Sequence, residues 1–276
     1  MFALLTPALL AAMLLLCLWT LHKVRLIHLL VHEVRDQAAS APATLFRQLE
    51  AYDGLQRELR LDKSLPPTRG WAGSPDFLLA LARHAHTAQP RVVVECSSGA
   101  STIVLARCLQ LQGAGQVYSL EHDPLYAAQT RAELARHGLS SWAQVIDAPL
   151  RMHRLAAENW PWYAAERLPA GLAIDLLVID GPPQDAGTLA RYPAGPLLFP
   201  QLAPGAAVFL DDAARRDEQA ILRRWREQFP LLRQSLLACE KGCARLLNEE
   251  QHAAAVGPAR VHPLPATLAD APTVAG

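Results

Sequence analysis

From residue 74 onward the chain alternates between two rhythms of apolar and polar positions. Short apolar runs lie at 91–95, 116–120, 143–147, 174–179 and 206–210. Between them, apolar residues recur every three or four positions at 101–112, 124–137, 185–202 and 213–228. The first rhythm predicts strands buried on both faces, the second amphipathic helices. Strands that alternate with helices imply an α/β fold, a doubly wound parallel sheet with helices on both sides. Residues 234–247, interrupted by Glu240-Lys-Gly242, read as a closing antiparallel hairpin. Ser74-Pro75-Asp76 opens a preceding helix that runs to about His86, with an N-cap residue, proline at the first helical position and an acid in the first turn.

The N-terminal part follows a different pattern. Residues 2–21, FALLTPALLAAMLLLCLWTL, carry no charge, and a helix of about 20 residues spans about 30 Å, the thickness of a bilayer core. No basic residue precedes this segment, whereas Lys23, Arg25 and Arg35 follow it. That asymmetry predicts a single-pass membrane anchor with the N-terminus outside and the remainder on the cytoplasmic face of the cell membrane. The missing basic flank argues against a cleaved signal peptide. Residues 22–60 keep helical spacing, with an expected break into two helices at Ala41-Pro42. Such a segment suits a stalk, a homodimer-forming coil or a lid over the site, the first two being the commoner uses. Leu65-Pro-Pro67 and Gly70 mark a linker. The expected units are therefore an anchor (1–21), a juxtamembrane helical segment and linker (22–70), a folded domain (71–248) and a disordered Ala/Pro-rich tail (249–276).

Composition narrows the functional classes. Lys plus Arg and Asp plus Glu are each 26, for a formal net charge of zero, so no nucleic-acid partner held by bulk charge is expected. The five cysteines show neither a secreted disulfide pattern nor paired metal spacing.

Candidate chemistry gathers where strands end, because ligands of open α/β sheets bind beyond the carboxyl ends of the strands. The first strand runs into VVVECSSGAS (92–101), so its acid, Glu95, precedes a turn of small residues. The second ends at Glu121-His122-Asp123, the third at Asp147, the fourth at Asp180-Gly-Pro-Pro and the fifth at Asp211-Asp212. A dinucleotide is disfavoured: its turn needs several glycines around a pyrophosphate, whereas here Gly99 stands alone and Glu95 would face the phosphates. Carboxylates at two adjacent strand ends suit a ligand with a cationic end and a ribose, such as S-adenosylmethionine.

The motifs ECSSGAST, LEHDP, IDLLVIDGPP, RYPAGPLLFPQL and LAPGAAVFLDD together resemble class I S-adenosylmethionine-dependent methyltransferases, and within them the small bacterial O-methyltransferase-like domains. The resemblance covers residues 71–248 and implies a Rossmann-like, mainly parallel seven-stranded sheet. It also implies that Glu95, Ser97, Gly99 and Ser101 line the methionine moiety, Glu121 holds the ribose, His122 lies against the adenine, Asp147 binds the adenine edge and Asp180 stands near the transferred methyl. Ser97 occupies a position where the family usually has glycine.

Catechol-type relatives bind Mg²⁺ through an Asp after the fourth strand and an Asp-Asn pair after the fifth. The corresponding residues here are Asp180, Asp211 and Asp212, a metal set if the added charge is tolerated; the alternative is a metal-free domain in which Asp211 and Asp212 cap a helix or pair with Arg215 and Arg216. Asp180, Asp211 and Arg191 are the expected catalytic residues. Trp160-Pro-Trp-Tyr163 and Arg191 are acceptor-side candidates, with packing at the sheet edge the alternative for the aromatics. The expected acceptor is a small molecule, a glycan or a lipid-linked intermediate, methylated on oxygen. The competing reading is an inactive S-adenosylmethionine-binding or scaffolding domain at the membrane.

Overall fold

The computed structural model describes residues 2–156 and 158–248. The tail expected from 249 onward lies outside the described residues. In chain order the elements are α1 (Phe2–Leu59), α2 (Pro75–Ala88), β1 (Val92–Cys96), α3 (Ala100–Gln112), β2 (Gln116–Glu121), α4 (Pro124–Arg136), β3 (Ala143–Asp147), β4 (Leu150–Leu155), β5 (Glu158–Tyr163), β6 (Ile174–Ile179), α5 (Ala194–Leu198), β7 (Leu202–Asp211), α6 (Arg216–Gln228), β8 (Leu232–Leu237) and β9 (Cys243–Asn248).

Seven strands form one sheet in the order β3-β2-β1-β6-β7-β9-β8. β3, β2, β1, β6 and β7 run parallel, and β9 turns antiparallel against both β7 and β8. The order reverses between β1 and β6, so β1 and β6 diverge from a central crevice at their carboxyl ends. The inner strands are apolar on both faces because both faces are covered. One layer packs α2, α3 and the end of α1 against Val93, Val117, Leu176 and Phe209. The other packs α5, α6 and β5 against Val94, Leu177, Val208 and Leu246.

Three expectations fail in instructive places. Pro42 does not break the first helix, since α1 is continuous for 58 residues through Pro7 and Pro42. A proline removes one backbone hydrogen bond, and here the helical chain on both sides carries through that loss. The helix expected at 185–202 is instead two single turns and the five-residue α5. Gly187 at φ 155° and Leu189 at φ 52° are incompatible with a continuous helix there. Finally, β4 and β5 form a separate two-stranded antiparallel sheet where no hairpin is expected.

Among the described residues, α1 contains one stretch long and apolar enough to cross a bilayer, Leu9–His32, with mean hydropathy 1.7 and no buried share. It begins later and ends later than the expected 1–21. The far end of α1 belongs to the folded domain. Leu55 and Leu59 are buried, Gln48 Nε2 donates to Asp76 Oδ2 at 2.8 Å, and Arg107 donates to the carbonyls of Leu59 and Arg60 at 2.9 Å. The last bonds satisfy carbonyls that a helix C-terminus leaves open. Asp76 also accepts from the backbone N–H of Glu240 at 2.7 Å, so one carboxylate ties α1, α2 and the β8–β9 turn together.

Candidate functional site

The turn between β1 and α3 forms the centre of the site. Ser97 is held at φ 130° and Gly99 at φ 148°, both in backbone territory that favours glycine. Thr102 Oγ1 accepts from the Gly99 N–H at 3.0 Å and donates to Glu95 Oε2 at 2.6 Å. Glu95 is fully buried behind the turn, and its Oε1 has no partner among the described residues. Burial pushes its pKa up, against the hydroxyls of Ser101, Ser119 and Thr102. The acid expected to face a ligand thus braces the turn from behind.

β2 delivers Glu121 to the same edge. Its Oε1 accepts from the Asp123 N–H at 3.0 Å and its Oε2 from Ser98 Oγ at 2.8 Å. His122 Nδ1 lies 3.1 Å from Glu121 Oε1, and that carboxylate holds the imidazole pKa up against partial burial. Asp123 caps α4 by accepting from the N–H groups of Leu125 and Tyr126.

A cavity of 810 Å³ opens along this edge, within the size range of small-molecule sites. Its wall includes Ser97, Gly99, Ser101, Glu121, His122, Asp180, Arg191 and Asp212 of the expected residues. Three expected residues are absent from it. Glu95 and Asp211 are buried behind the wall. Asp147 stands at the sheet edge beside Glu121, where it pairs with Arg131 at 2.8 Å. Gly181 forms part of the wall because nothing larger fits: a Cβ there would lie 2.2 Å from the Tyr163 hydroxyl.

The aromatic run divides between packing and the site. Trp160 and Trp162 are buried and absent from the cavity wall. Trp160 lies 4.7 Å from the Tyr192 ring, and Arg224 covers both rings. Only Tyr163 reaches the cavity. Burial raises its phenol pKa well above the ordinary value.

The other end of the cavity is a charge cluster. Arg191 Nη2 lies 2.8 Å from Asp212 Oδ2 and 3.4 Å from Asp180 Oδ1. It also donates to the carbonyls of Asp180 and Asp211, each at 2.9 Å. Asp212 is further paired with Arg215 at 3.0 Å. Burial works against the charge on Arg191, but Asp180, Asp212, Glu218 and Asp211 outweigh it and raise its pKa. Burial pushes Asp180 up to about 6, with Arg191 opposing. Asp211, which has neither oxygen partnered among the described residues, is pushed up further by burial and by its two neighbouring acids.

The cavity also takes residues that strand-end reasoning overlooks: Ser98, Tyr126, Thr130, Lys241, and Arg69 and Trp71 of the linker after α1. Lys241 has a signal in the sequence. β9 runs antiparallel to β7 with Cys243 opposite Asp211, so the turn before Cys243 must lie at the acid-bearing edge. The linker residues have no comparable signal, because their position depends on how α1 packs.

A turn between strand and helix on a 3-2-1 half-sheet, an acid at the next strand end and a closing antiparallel hairpin together make up the Rossmann-like fold of methyltransferase domains. Comparison with known proteins agrees: residues 94–213 match the family described as methyltransferase domain. No curated protein matches the chain. Among solved structures, the O-methyltransferase TomG from Streptomyces achromogenes, in complex with S-adenosylmethionine, shares 17% identity over 73% of this chain and 89% of that one, with a TM-score of 0.50. Cofactor-bound Rv0187 from MTB shares 24% identity over 75% of this chain and 90% of that one, with a TM-score of 0.49. An O-methyltransferase from Bacillus cereus shares 18% over 71% and 90%, with a TM-score of 0.47. At these identities the first of the three supports the fold.

Proposed function

We propose that this chain is a membrane-anchored O-methyltransferase, with α1 crossing the membrane and the domain on the cytoplasmic side. The observation that carries the methyltransferase reading is the turn Ser97–Ser101 lining one cavity together with Glu121, which Ser98 Oγ holds at 2.8 Å. When bound, S-adenosylmethionine supplies a methyl group on a positively charged sulfur. Ser97, Gly99 and Ser101 would hold its methionine end, and Glu121 would accept hydrogen bonds from its ribose hydroxyls. Glu95 braces the turn from behind by accepting from the Thr102 hydroxyl at 2.6 Å.

Asp180 lies at the cavity wall and is ionised above about pH 6. It is the chain's own candidate to take the proton from an acceptor hydroxyl as the methyl is transferred. Arg191 holds the Asp180 carboxylate in place, and the cavity walls position the acceptor for in-line attack. The acceptor is a small molecule, a glycan or a lipid-linked intermediate, a class supported by the anchor and by a cavity large enough for two ligands.

Calorimetry with S-adenosylmethionine on the full chain in detergent tests this reading. Wild type binds, and Glu121→Ala weakens binding about tenfold or more, the loss expected when hydrogen bonds to a charged group are removed. An absence of binding would leave the scaffolding reading; binding untouched by the substitution would sink the site map.

A further inference from the structure

Asp180, Asp211 and Asp212 each offer an oxygen, and these oxygens all lie within 4.8 Å of one another. By composition this is a divalent-cation site. The surrounding geometry says otherwise. Arg191 enters from the loop between β6 and α5 and places its guanidinium among these acids, with 4% of its side chain exposed. Nη2 reaches the carboxylates of both Asp212 and Asp180. Nη1 and Nη2 donate to the backbone carbonyls of Asp211 and Asp180, where β7 and β6 end. Nε faces Glu218 of α6 at 3.7 Å. Every edge of the fork is thereby directed at an acceptor. Asp212 Oδ2 is shared with a second guanidinium, that of Arg215, and Asp211 does not reach the cavity.

A divalent ion bound by Asp180 and Asp212 needs oxygens at about 2.0–2.6 Å with nothing but oxygen around it. Here the carboxylates of Asp180 and Asp212 already serve a permanent cation that cannot give up its proton. We infer that the Arg191 guanidinium is the resident cation of this site, in the place a divalent metal would take, and that it positions Asp180 without a metal. The inference rests on the methyltransferase reading for its importance, not for its test, which reads metal binding directly.

The test is a titration of the full-length protein in detergent with Mn²⁺, followed by electron paramagnetic resonance of the free ion. Wild type shows no stoichiometric site. Arg191→Met, which keeps length and removes charge, exposes the carboxylates and gains one Mn²⁺ site at least about tenfold tighter than wild type. The double variant Arg191→Met, Asp212→Asn loses it again. A stoichiometric Mn²⁺ site in the wild type that disappears in Asp180→Asn would overturn the inference, as would a folded Arg191→Met protein that gains no affinity. Should Arg191→Met fail to fold, Arg191→Lys and the wild type carry the test: both lacking a site supports the resident cation, and a stoichiometric site in either overturns it. Failure of the methyltransferase reading shows separately, as absent S-adenosylmethionine binding in calorimetry.

Discussion

Ser97 is a serine with a glycine's backbone. Its φ of 130° lies where a side chain costs about 1–3 kcal/mol, and its N–H is fixed to the Leu120 carbonyl at 3.0 Å, so the turn cannot relax without breaking a bond between β1 and β2. Ser97→Gly removes that strain. The replacement adds flexibility to the unfolded chain at a cost of about 0.4–1 kcal/mol, which leaves a net stabilisation of about 0.5–2 kcal/mol. For a domain of this size each kcal/mol moves the melting midpoint by about 2–4 °C, so a rise of about 1–8 °C is expected. Thermal melts in one detergent measure it, with Ser97→Ala as the comparator that keeps Cβ and gains nothing. Because the same turn lines the cavity, calorimetry should show S-adenosylmethionine binding retained or tightened. A Ser97→Gly protein that melts lower than wild type would refute the strain argument, and a matching gain from Ser97→Ala would show that the hydroxyl, not the backbone, is responsible.

Two further outcomes follow from burial and from the helix. His84 stacks on Phe209 at 5.1 Å, and burial, helped by Arg245, lowers its pKa to about 4. The unfolded chain takes up this proton first, near pH 6.5, so the folded state is fully favoured above about pH 6.5 and loses stability as pH falls toward 4. After a discount for the solvent still reaching the ring, the loss is about 1–2 kcal/mol; denaturation midpoints above and below this window should differ less in His84→Leu than in wild type. Deletion of residues 2–32 should release the protein from the membrane fraction with S-adenosylmethionine binding intact, because the packed part of α1 starts near Gln48. Retention of the truncated protein in that fraction would remove the single-anchor reading.

The parts of the molecule that were legible from sequence are those set by periodicity and turn chemistry. The β1 run, the Asp123-Pro124 start of α4 and the acids at strand ends are local signals, and the structure places each at the expected end of its element. What eluded reading depends on distant partners. β5 contains Pro161, and β4 carries Arg151, His153 and Arg154; neither resembles a strand until Trp160, Trp162 and Tyr163 pack into the second core layer. Glu95 and Asp211 were readable as acids at strand ends, but not as acids facing away from the cavity. A strand's side chains alternate between faces, and a single residue decides whether an acid lines the cavity or braces it. Arg191 was legible as a residue near the site, whereas its pairing with both Asp180 and Asp212 depends on where α5 settles.

The continuity of α1 sets a distance. If Leu9–His32 lies in the bilayer, residues 33–59 continue as unbroken helix, and at 1.5 Å per residue they reach about 40 Å, further than the hydrocarbon core is thick. The cavity is lined by the linker just past that helix, at Pro66, Pro67 and Arg69. With the helix upright, a hydroxyl on a short lipid headgroup would stay out of reach, while a long glycan or a freely diffusing acceptor would not. A stalk so placed would select acceptors by how far they extend from the membrane, before any side chain in the cavity had touched them.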